Sequence, residues 1–261
     1  MKRRTKLKTF ALALCLLAAA SARAQSNAPA PATPAAQGSP SDVVRAYYTA
    51  LKESRFRDAM MLSVLRPAIE ALSPEELKEF QLDFARLSPS VPADFEITGE
   101  QLSGEEATVF VRTGEGRELK VDPVNLFRER GAWVIGDREG AAAVKKQGKK
   151  FFAEQRIVAH EQDAEDMLRR IQAAQLAYAL QHSGSYGDLA ALVRAGYVPQ
   201  DILGTATTGY RFTVQLAADN KSFTARAEPE RYGHSGRLSY YLDQSGIQRK
   251  DVGGKPLSPS K

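Results

Sequence analysis

Cysteine occurs once in the 261 residues, at Cys15, tryptophan once, at Trp133, and histidine three times. A single cysteine excludes an intrachain disulfide and any cysteine-rich metal site. Three histidines, His160, His182 and His234, leave few ways to assemble a metal centre or an acid–base pair. Residues 41–144 contain none at all. No phosphate-cradling glycine loop, dinucleotide fingerprint or metal-spaced cysteine pair occurs along the chain. The common routes to cofactor chemistry are therefore missing.

What the N-terminus does contain is a graded polarity. Met1 to Lys8 is cationic without an acid, Phe10 to Ala20 is apolar, and Ala22-Arg23-Ala24 places small residues at an Ala-x-Ala site. These are the three parts of a secretory signal peptide, and cleavage is expected after Ala24. The apolar run falls well short of the about 20 residues a membrane-crossing helix needs, which disfavours a retained anchor. A lipid-modified Cys15 is also disfavoured, because Leu14 stands where a small residue is required. Residues 1–24 hold Lys2, Arg3, Arg4, Lys6, Lys8 and Arg23, so the remaining chain has 30 cationic against 31 acidic side chains. The formal net charge of +5 belongs to the leader. Nothing is left to attract nucleic acid or an anionic membrane electrostatically.

After the leader, residues 25–40 are rich in Pro and Ala and read as an extended linker. Ser39-Pro40-Ser41-Asp42 has helix-start chemistry, and Val43, Val44, Tyr47, Tyr48 and Leu51 fall on one helical face. Phe56 to Leu65 reads as a helix broken before Pro67, and Ser73-Pro74-Glu75-Glu76 opens another running to about Leu87. From Asp94 the apolar period shortens to two, giving strands at 95–97, 107–111, 118–121 and 132–135, with turns at 99–105, 114–116 and 130–131. A long helix is expected over Phe151 to His182, a short one at Leu189 to Val193, then strands at 210–216, 222–227, 238–242 and 247–249. The fold class predicted is α+β: helices packed on a curved antiparallel sheet, followed by a long helix and a second four-stranded antiparallel sheet.

Two resemblances follow from these residues. Val43 to Leu51, the Arg55-Phe56-Arg57-Asp58-Ala59 restart and the terminal Arg130 to Asp137 make residues 41–137 similar to the nuclear-transport-factor-2-like domains of bacterial envelope proteins. That resemblance implies a cone with a pocket that some members use for small ligands or catalysis. Leu168 to Tyr178, Gly184 to Leu192, Gly209 to Thr213, Phe223 to Pro229 and Tyr232 to Gly246 resemble, in order, the soluble half of type IV pilins and type II secretion pseudopilins. The apolar N-terminal helix of a pilin is absent. Gln155 to Asp163 is too polar for a bilayer or a dry filament core. The expected organisation is a signal peptide (1–24), a linker (25–40), a nuclear-transport-factor-2-like domain (41–139), a long helix with a pilin-like domain (140–250) and a flexible tail (251–261).

Each group that invites chemistry has a plainer reading. His160-Glu161-Gln162-Asp163-Ala164 begins like a two-histidine zinc helix, but Ala164 occupies the second ligand position, so a solvated charged helix face is expected. His182 lies at a helix end, where a cation suits the negative dipole. Gly233-His234-Ser235-Gly236 lacks the spacer of a nucleophile elbow and reads as a tight turn. Asp243 and Asp251 could bring oxygen ligands together, as some pseudopilins hold calcium in a C-terminal loop, yet two carboxylates are few for such an ion. Tyr240 and Tyr241 should point to opposite sheet faces, leaving one available to a partner.

No catalytic, cofactor-binding or metal-ligating residue is assigned. The expected function is an exported, periplasmic or secreted, non-enzymatic interaction protein, with a protein partner in the cell envelope from a type IV pilus or type II secretion assembly. The alternative is a periplasmic small-ligand-binding protein using the pocket of the first domain. An enzyme in that pocket is the remaining option.

Overall fold

The computed structural model describes residues 38–86, 91–114, 116, 119–205 and 208–258. The expected signal peptide and nearly all of the linker lie outside the described residues. The chain divides into two compact units, Met1–Phe151 and Phe152–Lys261. The class is α+β, with two four-stranded antiparallel sheets.

In the first unit, α1 (Pro40–Lys52) opens with a capping box. The Ser39 hydroxyl accepts from the Asp42 N–H, and the Asp42 carboxylate accepts from the Ser39 N–H at 2.9 Å, satisfying two otherwise orphaned donors. Short helices follow: α2 (Phe56–Met61), α3 (Arg66–Glu70), α4 (Pro74–Glu79) and α5 (Gln81–Ala85). The helix expected over Phe56 to Leu65 stops at Met61, and Pro67, before which a break is expected, sits in the first turn of α3, where the missing N–H costs nothing. The single helix expected from Ser73 is divided at Phe80, and Leu87 lies outside the described residues.

The first sheet runs β1 (Phe95–Ser103), β2 (Glu106–Thr113), β3 (Lys120–Glu129) and β4 (Ala132–Ile135), each paired with the next. Gly99 does not begin a turn; β1 continues through it to Ser103, with a bulge between Ile97 and Gly99 absorbing the irregularity. β3 reaches far beyond the expected 118–121. Val44 and Tyr48 of α1 pack on Val109, Val111, Val124, Leu126, Trp133 and Ile135. The sheet side facing α1 is therefore the core of this unit. α6 (Arg138–Gln147), capped by the Asp137 carboxylate on the Gly140 N–H, packs against α3.

α7 (Lys150–Gln181) is the longest element. In the second unit its Ala164, Leu168, Ile171 and Ala174 form a stripe at helical spacing, and this stripe packs on β5 (Tyr210–Leu216), β6 (Phe223–Pro229) and β7 (Leu238–Asp243). β8 (Gly246–Asp251) completes the sheet in the sequential order β5-β6-β7-β8. α8 (Leu189–Arg194) and a 3-10 turn (Gln200–Leu203) add Leu192 and Ile202 to the same core. Leu168 and Ile171 have no exposed surface, so truncating either to alanine should cost about 2–5 kcal/mol. The expected tail starts as the last residue of β8, and the Leu257 carbonyl accepts from Arg226 Nε at 3.3 Å.

Candidate functional site

Among the described residues, polar side chains converge at two places, one in each unit. In the second unit the loop between β6 and β7 lies against the first half of α7. The Glu161 carboxylate accepts from the backbone N–H groups of Arg237 (2.9 Å) and Leu238 (3.2 Å). Arg237 donates twice to Glu154, at 2.9 and 2.7 Å, a bidentate pair that helps keep the guanidinium protonated. The Tyr240 hydroxyl donates to the Glu161 carbonyl at 2.8 Å, and the Tyr210 hydroxyl donates to the Leu238 carbonyl at 2.9 Å. Burial, and secondarily neighbouring negative charge, pushes both phenols well above their ordinary range. Each therefore acts as a fixed hydrogen-bond donor.

His160 corrects the expectation of a solvated helix face. It is 8 % exposed, and its Nδ1 donates to the Ser235 carbonyl at 3.1 Å. The reason is helical phase: His160 lies one turn before Ala164, in line with the stripe that enters the core. Gly209 makes the close approach feasible. Its φ is +67°, and a Cβ there would collide with His160 Nδ1. His182 follows the last residue of α7; its Nδ1 donates to the Tyr178 carbonyl at 2.8 Å and its ring stacks on Tyr178 at 3.7 Å. Ser235 accepts from the Arg231 N–H at 3.0 Å and donates back to the Arg231 carbonyl, closing a turn.

One further expectation fails. Tyr240 and Tyr241 do face opposite sides, but neither is open to a partner, at 1 % and 5 % exposure. Tyr240 enters the core, whereas Tyr241 lies beneath the guanidinium of Arg226, 5.6 Å from its ring centre. Asp243 and Asp251 are not neighbours. Asp251 pairs with Leu238, five positions along β7 from Asp243, a separation of about 17 Å at the usual strand rise. Asp243 instead accepts from the Ser245 N–H at 2.8 Å, and Asp251 accepts from the Tyr232 hydroxyl at 3.1 Å. They cannot share one cation. Among the described residues no group of three or more His, Cys, Asp or Glu is arranged to hold a metal.

The second place is the open end of the layer between α1 and the first sheet, which the sequence reading missed. Asp122 pairs with Val111, a fully buried core residue, so its side chain lies on the sheet side facing α1. Tyr47, Tyr48, Phe95 and Ile97 border the same end of the cluster. Tyr48 meets Tyr47 edge to face at 5.6 Å and Phe95 at 5.1 Å. Burial, then Tyr47, then the Asp122 charge pushes the Tyr48 phenol up to about 12. Burial also raises Tyr47.

Comparison with known proteins finds no match to any family model, curated protein or solved structure.

Proposed function

We propose that the chain is an exported, non-enzymatic interaction protein whose second unit docks onto a type IV pilus or type II secretion assembly in the cell envelope. The supporting observation is how the reactive-looking groups of that unit are used. Glu161, Tyr210, His160 and Ser235 hold backbone groups of the sheet or of the loop before β7, and Tyr240 holds the Glu161 carbonyl of α7. Such an arrangement builds a rigid surface, with its polar capacity spent on shape. A long helix followed by four sequential antiparallel strands is consistent with the pilin resemblance carried by residues 168–246. No helix among the described residues is long and apolar enough to cross a membrane, and the polar first half of α7 suits a carrier of such a head better than a filament shaft. Leu176 and Leu180, one turn apart on α7 and 58 % and 89 % exposed, offer an apolar contact. Tagged full-length chain recovered from envelope extracts should bring pilus or type II secretion subunits with it, and Leu176→Glu with Leu180→Glu should release them. Recovery of none of these subunits would count against the reading.

A second reading is favoured by Asp122. The first unit, with its resemblance to nuclear-transport-factor-2-like cones, binds a small ligand at the open end of the α1–sheet layer. Asp122 is a half-buried carboxylate on the sheet side that faces α1, near Tyr48, and has no ion pair or hydrogen bond to any described residue. Stabilisation of the full chain against heat by small molecules, lost in Asp122→Lys, tests it.

A further inference from the structure

We propose that Tyr47, Tyr48, Phe95 and Asp122 form a receptor for an organic ammonium group, the carboxylate taking the positive charge and the rings its alkyl arms. This rests on the small-ligand reading of the first unit and names the ligand chemistry.

The argument begins with the strand register. Along β3, alternate residues face α1, and the sequence of that stripe is Lys120, Asp122, Val124, Leu126. Val124 and Leu126 are 8 % and 1 % exposed, in the closed part of the core. Asp122 is the first residue outward from them and is half-buried. Its carboxylate thus stands at the border of an apolar layer, where an incoming cation meets negative charge and apolar surface together.

The cations among the described residues do not fill that role. Lys120, two positions earlier on the same face, is exposed and forms no ion pair with Asp122. Lys52, at the end of α1, is paired with Asp94 at 3.0 Å. Arg112, on the neighbouring strand, points to the opposite side and pairs with Glu96.

The rings set the class of cation. Tyr47 and Phe95 are half-buried and flank the buried Tyr48, which lies near enough to Asp122 to feel its charge. Aromatic faces attract cations, most strongly those with diffuse charge and weak hydration. Tyr47 and Tyr48 also lie in the C-terminal half of α1, towards the negative end of the helix dipole. A lone carboxylate falls far short of the six to eight oxygen ligands calcium takes, which leaves an alkylammonium as the better fit.

The test titrates full-length protein with choline and, separately, with 3,3-dimethyl-1-butanol, its neutral isostere. Trp133 is the only tryptophan and lies in the same apolar cluster, so its fluorescence reports on this unit, with calorimetry as a second readout. Choline should bind saturably, and at least about tenfold more tightly than the isostere. Asp122→Asn, checked for an unchanged circular dichroism spectrum and melting temperature, should remove that preference. Tyr47→Leu should weaken choline binding with the fold retained. Equal binding of the two probes, or a choline affinity indifferent to Asp122→Asn, overturns the ammonium assignment while leaving a small-ligand site standing. Binding of neither probe overturns both.

Discussion

Glu161 and Arg237, 76 positions apart in sequence, meet where the Glu161 carboxylate accepts the Arg237 backbone N–H at 2.9 Å. The same oxygen takes the Leu238 N–H at 3.2 Å, so one acid fixes the start of β7 on α7. Glu161→Ala leaves both donors without that acceptor and should destabilise the second unit by about 1–3 kcal/mol. Removing the side chain of Arg237 should cost less, about 1 kcal/mol or below, because its pair with Glu154 is 40 % exposed on both sides. Urea unfolding of the two variants checks the order; a larger loss for Arg237→Ala would contradict the assigned roles.

Gln175 supplies the second long-range tie. It is fully buried on α7, its Nε2 donates to the Gly187 carbonyl at 2.7 Å, and its Oε1 accepts from the Gly187 N–H at 3.0 Å. A glutamine here imitates a neighbouring strand for an isolated stretch of backbone before α8. Gln175→Leu keeps the volume and discards both bonds, stranding a buried donor and a buried acceptor. A loss of about 2–4 kcal/mol is expected, with amide exchange accelerating across residues 184–188 before the rest of the unit. Unchanged exchange there would show that the loop is held by other means.

Tyr48 gives a dependence on pH. An unfolded tyrosine ionises near 10, whereas folded Tyr48 keeps its proton to about 12, chiefly through burial. Below pH 10 both states are protonated and the contribution to stability is complete. Between pH 10 and about 12 the unfolded chain loses its proton first, so stability falls. Melts of the first unit's Trp133 signal over that window should drop steeply for the native sequence and less steeply for Tyr48→Phe. Parallel curves for the two would remove Tyr48 as the cause.

Capping chemistry made the helix starts legible: Ser39 with Asp42 and Ser73 with Glu76 close the boxes their spacing suggests. Asn220, at φ +55°, sits in the turn expected between β5 and β6. Parity was harder to read. The apolar Leu119 and Val121 suggest the inward side of β3, yet they are 48 % and 49 % exposed, and it is Asp122 that faces α1. A shift of one residue exchanges the faces of a strand, and only pairing with Val111 fixes it. His160 misled for a related reason. Its polar neighbours Glu161, Gln162 and Asp163 suggest a wetted surface, while the position of its turn relative to Ala164 and Leu168 puts it inside. Tyr241 is covered by Arg226, a contact from another strand that no local pattern contains.

The account depends most on delivery of this chain beyond the cytosol, and the mass of the protein isolated from the host's cell envelope measures that directly. A species beginning at Gln25, and so without Cys15 or a lipid attached there, is the expected result. An untrimmed chain starting at Met1 and recovered in the soluble cytosolic fraction would contradict it.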